Sequence, residues 1–494
     1  MPYFSEIANA SGHFISFSIP SFSNAARITC SSIVTIVCVQ RNRVYHVCLS
    51  RRGCPLKIAL VHSSLDPAGN NIRSCIDTLL ADQGTLRQYP LENHDLIFHK
   101  SDTRLIFLDH VDKELDADLI IFLSRHSSEH PLPILTVHVT GNIGPAGLGG
   151  IAGSLAVASP PWMHSVLRNL AKYTPEGYRA TYEVTHHGPT ELSTPSFFVE
   201  IGSTEKEWTD GRAGYAVARS VLEANPDETV NVLGIGGTHY AKRETEIALQ
   251  SRTAFGHIVH SRFVSSLSPG LLLALVKKSR ADAVYIDKKA VTPGEMKIVG
   301  TVLSGLGIPR LSERELIQLG GISWSTWEKI RRTAEDLFPG SDIAISPMVK
   351  NGNPYVIGVP EDLFSETLRI NQNGLKEGIG RLPVVALSVG GASILPIFIT
   401  TEENSTLVLN DLISLCVTLI CSGETTAVEG DRLIIWRTRF DPEKARSLGI
   451  PHGPLYGELM KGRTVHINGR EVTPDMVCTR TVTCIQIPGL ERLI

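Results

Sequence analysis

The chain carries nine cysteines in 494 residues but no C-x-x-C pair. Neither a zinc finger nor a thioredoxin-type dithiol can be built without one. Cys30, Cys38, Cys48, Cys54 and Cys75 lie early and Cys416, Cys421, Cys478 and Cys484 late. That odd, scattered set suits a reducing compartment better than a disulfide framework. G-K-[ST], G-x-S-x-G and H-E-x-x-H are also missing, which excludes a Walker A loop, a nucleophile elbow and a zincin helix. Excess charge is scarce: a formal net charge of -3 excludes a uniformly basic nucleic-acid coat and leaves only a local patch for such a partner. No apolar run reaches the ~20 residues of a bilayer span, so no membrane partner is expected.

Residues 1–55 hold a single acid, Glu6, among many Ser, Arg and Cys residues. Such an N-terminal extension reads either as transit-like or as disordered. From "PLKIALVHSS" onward, short Val/Ile/Phe-rich runs ending in Gly, Ser, Asn or Asp alternate with helical patterns. The strands expected are "KIALVHS", "DLIIFLS", "ILTVHVTG", "YRATYEVTH", "SFFVEIGS", "VNVLGIGG", "FGHIVHS" and "AVYID". Between them "TEKEWTDGRAGYAVARSVLEA" opens with Thr204 and Glu207 at capping-box spacing. This alternation predicts an α/β domain with a largely parallel sheet over 56–325. A helix, "WSTWEKIRRTAEDLF", then opens a β-rich C-terminal α+β extension over 326–494.

Nine of the 17 histidines, and no cysteine, fall between residues 126 and 260. His138, His186, His187 and Glu200 sit at or near strand ends, and His239 follows "VNVLGIGGT" where a helix begins. In open α/β sheets, ligands bind beyond the carboxyl ends of the strands. Imidazole with carboxylate and no thiolate is the ligand mix of hydrolytic zinc sites. The alternatives are histidines that hydrogen-bond loop backbone, or metal-free acid–base catalysis by one of them. "GIGGTHY" lacks the third glycine of a dinucleotide fingerprint. "GNIGPAGLGGIAGS" (141–154) reads either as a source of anion-binding amides or as a flexible loop. Arg125 in "SRHSSE" reads as a phosphate grip or as a surface residue. Lys277, Lys278, Arg280, Lys288 and Lys289 supply the local basic patch that an RNA partner would need.

Taken in order, "SSLDPAGNNI", "SRHSSE", "LTVHVTGN", "VTHHGPTEL", "FFVEIGSTEKEW", "GIGGTHYAKRETEI", "FGHIVHSRF" and "ADAVYIDKKA" resemble successive blocks of archaeal- and plant-type D-aminoacyl-tRNA deacylases, over about residues 56–320. The resemblance implies a phosphorylase/peptidyl-tRNA-hydrolase-like α/β fold. It implies a zinc-dependent hydrolase that splits the ester between a D-amino acid and tRNA. On the matched motifs it makes His138, His186, His187, Glu200 and His239 the pocket candidates. Among them we expect His138, His186 and His187 to be catalytic and His138, His186, Glu200 and His239 to ligate Zn2+, with Arg125 and the five basic residues above as the tRNA contacts. Amides of the glycine-rich loop are expected to hold the oxyanion. Residues 440–477 are similar to a segment of ribonuclease Z, without that family's H-x-H-x-D-H block. The tail is therefore expected to be dispensable for chemistry and to assist tRNA binding or stability. A cytoplasmic site is expected, or a mitochondrial one if the extension is a transit segment. Rival readings are a zinc peptidase or amidase on small acylated substrates, and a non-catalytic tRNA-binding module.

Overall fold

The computed structural model describes residues 55–82, 89–128, 131–390 and 393–493, plus the backbone of three antiparallel strands, Arg27–Cys30, Ile33–Gln40 and Arg43–Cys48. The rest of the 1–55 extension, with its transit-like and disordered readings, lies outside the described residues.

The first sheet is built from β1 (Lys57–Ser63), β2 (Asp95–Ser101), β3 (Leu119–Arg125), β4 (Ile134–His138), β5 (Arg179–Tyr182) and β6 (Ser196–Gly202). Their order across the sheet is β2-β1-β3-β6-β4-β5. Every pairing is parallel except β6 with β4. β3, β4 and β6 are almost wholly buried, which is why they read as continuous apolar runs rather than as alternations. The second sheet, β7 (Val230–Gly237), β8 (Thr253–His260), β9 (Ala283–Ile286) and β10 (Arg310–Leu311), is wholly parallel in the order β8-β7-β9-β10. The α/β class and the largely parallel sheets expected from the strand–helix alternation are both present.

Thr204 and Glu207 form the expected capping box, with Glu207 Oε2 accepting from the Thr204 backbone N–H at 3.0 Å. It caps only Glu205–Trp208; a new N-cap, Asp210, then starts Gly211–Leu222. One anticipated helix is therefore two.

Beyond residue 325 the sheets are antiparallel: Asp342–Ile345, Val384–Val389, Ser393–Thr400 and Tyr355–Gly358 form one, and Thr425–Glu429, Arg432–Phe440 and Cys478–Gln486 another. Two 19-residue helices, Glu361–Ile379 and Ser405–Gly423, pack on each other. Ser405–Gly423 has the length and apolarity of a membrane span, and it buries Leu412, Cys416, Val417 and Ile420 in a core with Leu363, Phe364 and Leu375. The boundary read at 325/326 is not a break in packing. Leu316, Leu319 and Ile322 share one hydrophobic cluster with Trp327, Ile330, Ile343 and Leu387. Residues 440–477, by contrast, are an excursion between two strands paired along their full length, from Arg432↔Gln486 to Phe440↔Cys478. They carry a small core of their own, including Ile450, Tyr456, Leu459 and Val472.

Candidate active site

The residues between β5 and β6 stitch the two sheets together. Glu183 N–H donates to Val137 O at 3.1 Å on the first sheet. Val184 and Thr185 donate to His239 O and Ile258 O, at 3.0 and 2.8 Å, on the second. Three backbone-fixed residues, Glu183, Val184 and Thr185, therefore place Glu183, His186 and His187 along the seam.

The reversed strand corrects the expectation that one carboxyl edge gathers these groups. Because β4 runs against β6, Thr136 lies opposite Glu200 and His138 opposite Phe198. His138, the last residue of β4, thus lies opposite the middle of β6 and inside its carboxyl end, 1% exposed. It backs His187, with the two Nε2 atoms 3.2 Å apart, and does not line the cavity.

A cavity of about 620 Å³ opens over the seam, lined by His126, His186, His187, Glu200, His239 and Tyr240 among others. That size suits a small-molecule moiety. Two residues of the site stand outside the expected ligand and catalytic sets: His126, which "SRHSSE" offers either to the pocket or to a surface loop, and Glu183. Asp66, the N-cap of Pro67–Ala81, accepts from the backbone of Gly69 and of Arg125, both at 3.0 Å, and so pins the end of β3. His126 follows immediately, its N–H on Ile201 O and its carbonyl taken by Trp208 Nε1. A Cβ on Gly202 would fall 2.7–2.8 Å from the His126 side chain, so glycine is needed there for the ring to pack.

Glu183 is the hub. His126 Nδ1 lies 3.1 Å, His186 Nε2 3.5 Å and His239 Nε2 3.6 Å from its oxygens. Both oxygens are buried, and neither accepts a hydrogen bond of sound geometry. Burial pushes its carboxyl up to about 7, with His126 opposing and Glu200 adding to the rise. Burial also holds the Glu200 carboxyl well above the usual range. Desolvation and neighbouring imidazoles keep His138 and His186 well below the ordinary value, and bring His187 and His239 down to about 4. At neutral pH these rings are therefore uncharged, with lone pairs available.

Backbone carbonyls set the tautomers. His186 Nδ1 lies 2.8 Å from Val184 O and His187 Nδ1 2.6 Å from Gly188 O, so each Nδ1 donates and each Nε2 carries the lone pair. His186 Nε2 then faces the Glu183 carboxylate as one acceptor faces another, which is tolerable only with a proton or a cation between them. His187 holds φ +48°, a left-handed backbone rare outside glycine, as strained residues at functional sites often do.

The expected ligands His138, His186, Glu200 and His239 do not form one compact set. Donor atoms cluster instead as His126/Glu183/His239, His138/Glu183/Glu200 and His138/His186/His187, each within 4.8 Å. Glu183 joins two of the three. In the glycine-rich loop the amides of Gly141, Gly147 and Gly153 are already engaged, donating to His187 O, Pro145 O and Asn142 O. Its glycines allow close packing, since a Cβ on Gly149 would meet Ile106 O at 2.0 Å. Arg125 lines the cavity. Lys277, Lys278 and Arg280 precede β9 and Lys288 and Lys289 follow it, so the patch splits between opposite ends of that strand.

Buried carboxylates and neutral imidazoles around an open cavity in an α/β protein define a hydrolytic class of site. A family model described as D-aminoacyl-tRNA deacylase matches residues 113–311. A D-aminoacyl-tRNA deacylase of Methanoculleus marisnigri is 48% identical over 440 residues, covering 89% of this chain and 100% of its own length. Another, of Archaeoglobus fulgidus, is 39% identical over 271 residues, 52% of this chain and 96% of its own. A solved structure described as a conserved protein of unknown function is 37% identical, with TM-score 0.49, over 53% of this chain and 97% of its own. The chain belongs to the D-aminoacyl-tRNA deacylase family.

Proposed function

We propose that the protein hydrolyses the ester of D-aminoacyl-tRNA, water adding to the acyl carbon to release the free D-amino acid and the tRNA 3′-hydroxyl. Full-length kinship to deacylases supports the reaction, and the Glu183 hub under an open cavity supports the place. His186, neutral and in the cavity wall, orients the attacking water, and the Glu183–His186 pair takes its proton. His187, oriented by Gly188 O and backed by His138, holds the neighbouring wall.

The donor set fits a divalent cation, zinc above all. Glu183 offers two buried oxygens without a hydrogen-bond donor, three imidazoles converge on it, and no thiol joins the cluster among the described residues. His126, Glu183 and His239 would hold the ion, with His186 beside them. When bound, it supplies Lewis-acid polarisation and lowers the pKa of water. Soft thiolate-preferring metals fit this set poorly.

Purified full-length protein assayed on D- and L-tyrosyl-tRNA tests the activity, with turnover of the D ester expected. Turnover of neither would refute it. Chelator-stripped protein should regain thermal stability on adding one equivalent of zinc. An unchanged melting temperature would argue for a proton, not a cation, at Glu183.

A further inference from the structure

Three arginines line the histidine cavity: Arg104, Arg125 and Arg262. Each guanidinium lies over an aromatic ring, Arg104 over Phe107 at 5.8 Å, Arg125 over Trp208 at 5.1 Å and Arg262 over Phe263 at 4.7 Å. None forms an ion pair among the described residues, although the structure holds more than a dozen such pairs elsewhere. Among the described residues, the carboxylates in the cavity wall are Asp66 and Glu200, both buried. Asp66 is already engaged by the backbone of Gly69 and Arg125.

We infer that Arg104, Arg125 and Arg262 form a rim that grips the phosphodiesters of the single-stranded tRNA 3′ end and so delivers the ester to the histidines. A cation seated on a ring face keeps its planar donor fork free for an anion, which is how guanidinium recognises phosphate. Three unpaired cations around one opening also raise the local concentration of a polyanion. Phe107, 53% exposed beneath Arg104, offers a flat surface on which an unpaired base can stack. The cavity has room for an aminoacylated terminal nucleoside, and the remaining strand must leave across this rim.

The inference rests on the proposed tRNA substrate, so its test uses two measurements. The first is binding of a short single-stranded RNA, ACCA, to the full chain as a function of salt. The second is hydrolysis of D-tyrosyl-tRNA. Arg104→Gln and Arg262→Gln should each weaken RNA binding about 10- to 100-fold. Each should also flatten the log–log salt slope by about 0.7–1. KM for D-tyrosyl-tRNA should rise in parallel. Arg212→Gln, whose exposed side chain pairs with Asp210 outside the cavity, should change neither. If wild type binds ACCA through the rim but hydrolyses no ester, the rim stands and the deacylase reading falls. If hydrolysis is present while the rim variants bind ACCA with wild-type affinity and slope, the rim is refuted.

Discussion

Up to residue 260 the interior holds imidazoles and carboxylates; beyond 325, among the described residues, no acid or histidine is buried, and the buried polar side chains are hydroxyls, from Thr326 and Ser341 to Thr400 and Thr401, with the thiol of Cys416 and the indole of Trp327. A buried acid or histidine costs several kcal/mol unless it is paired or neutralised, so a chain keeps such groups where they do chemistry. The first half tolerates them largely because two sheets meet at a seam where His126, Glu183, His186, Glu200 and His239 gather beside one cavity. The second half, antiparallel and helical, spends its interior on packing alone. Yet the halves are not independent, because one hydrophobic cluster runs through both. The Archaeoglobus fulgidus relative is matched almost completely by 52% of this chain, so a family member of about half the length exists.

The largest test of that contrast is a chain ending at Ser325. It would strip Trp327, Ile330, Ile343, Ile345 and Leu387 from the shared cluster. At ~1.5–3 kcal/mol each, their loss rivals the whole ~5–15 kcal/mol stability of a typical domain. The truncated chain should fail to show a cooperative melt, against the expectation that the tail is dispensable. A soluble truncation with wild-type melting temperature would show that the tail's contact is incidental.

Next in size is Glu183→Gln, which keeps the shape but removes the charge at the hub. Turnover should fall about 10²–10⁴-fold with little change in KM, as when a group acting in the transition state is lost. In the second half, Thr367→Val, at a buried hydroxyl, should leave turnover untouched. A Glu183→Gln enzyme within a few-fold of wild type would move the chemistry elsewhere along the seam.

Much of this contrast was legible in the sequence, for identifiable reasons. Strands buried on both faces announce themselves as unbroken Val/Ile/Phe runs, and a thiol-free crowd of histidines needs no alignment to notice. Glu183 was invisible because a lone acid inside the expected strand "YRATYEVTH" reads as a solvent-facing position; only the pairing of its neighbours with both sheets buries it. The reversal of β4 left no mark either, since parallel and antiparallel strands buried on both faces share one pattern. The helix Glu361–Ile379 hid behind Asn371 and Gly374, a polar interruption where its backbone departs from helical geometry at φ -148°. Residues 440–477 stood out because a segment with its own small core keeps a recognisable pattern wherever it is inserted.

A smaller effect concerns acid. His257 is fully buried and neutral, holding Thr185 Oγ1 at 3.0 Å and Ala156 O at 3.0 Å, and desolvation brings it down to about 4. The unfolded chain takes up this proton near 6.5 and the folded chain refuses it until about 4. The associated stability is therefore complete above 6.5 and is lost as pH falls towards 4, at about 1.4 kcal/mol per pH unit. Glu244, raised to about 7 by burial, works the opposite way, its contribution present below 4.5 and lost as pH rises through 7. The informative quantity is thus the difference between wild type and His257→Gln, which should shrink steadily as pH drops from 6.5 to 4. A pH-independent difference would mean that the histidine is protonated in the fold.

The smallest test compares how helices begin in the two halves. Thr292 caps Pro293–Leu306 by accepting from Glu295 N–H, and Glu295 returns the bond to the Thr292 backbone at 2.9 Å. Ser405–Gly423 starts at Asn404 with no side-chain cap, although it is five residues longer. Its stability comes from the face carrying Leu412, Cys416 and Ile420, which is the usual source of helix stability in a folded core. Thr292→Ala should therefore cost about 1 kcal/mol in chemical denaturation, the value of a lost N-cap. Asn404→Ala should cost at most a few tenths, because no capping bond is there to lose. Equal costs at the two positions would mean that Asn404 caps its helix in solution, and that the second half relies on local signals as much as the first.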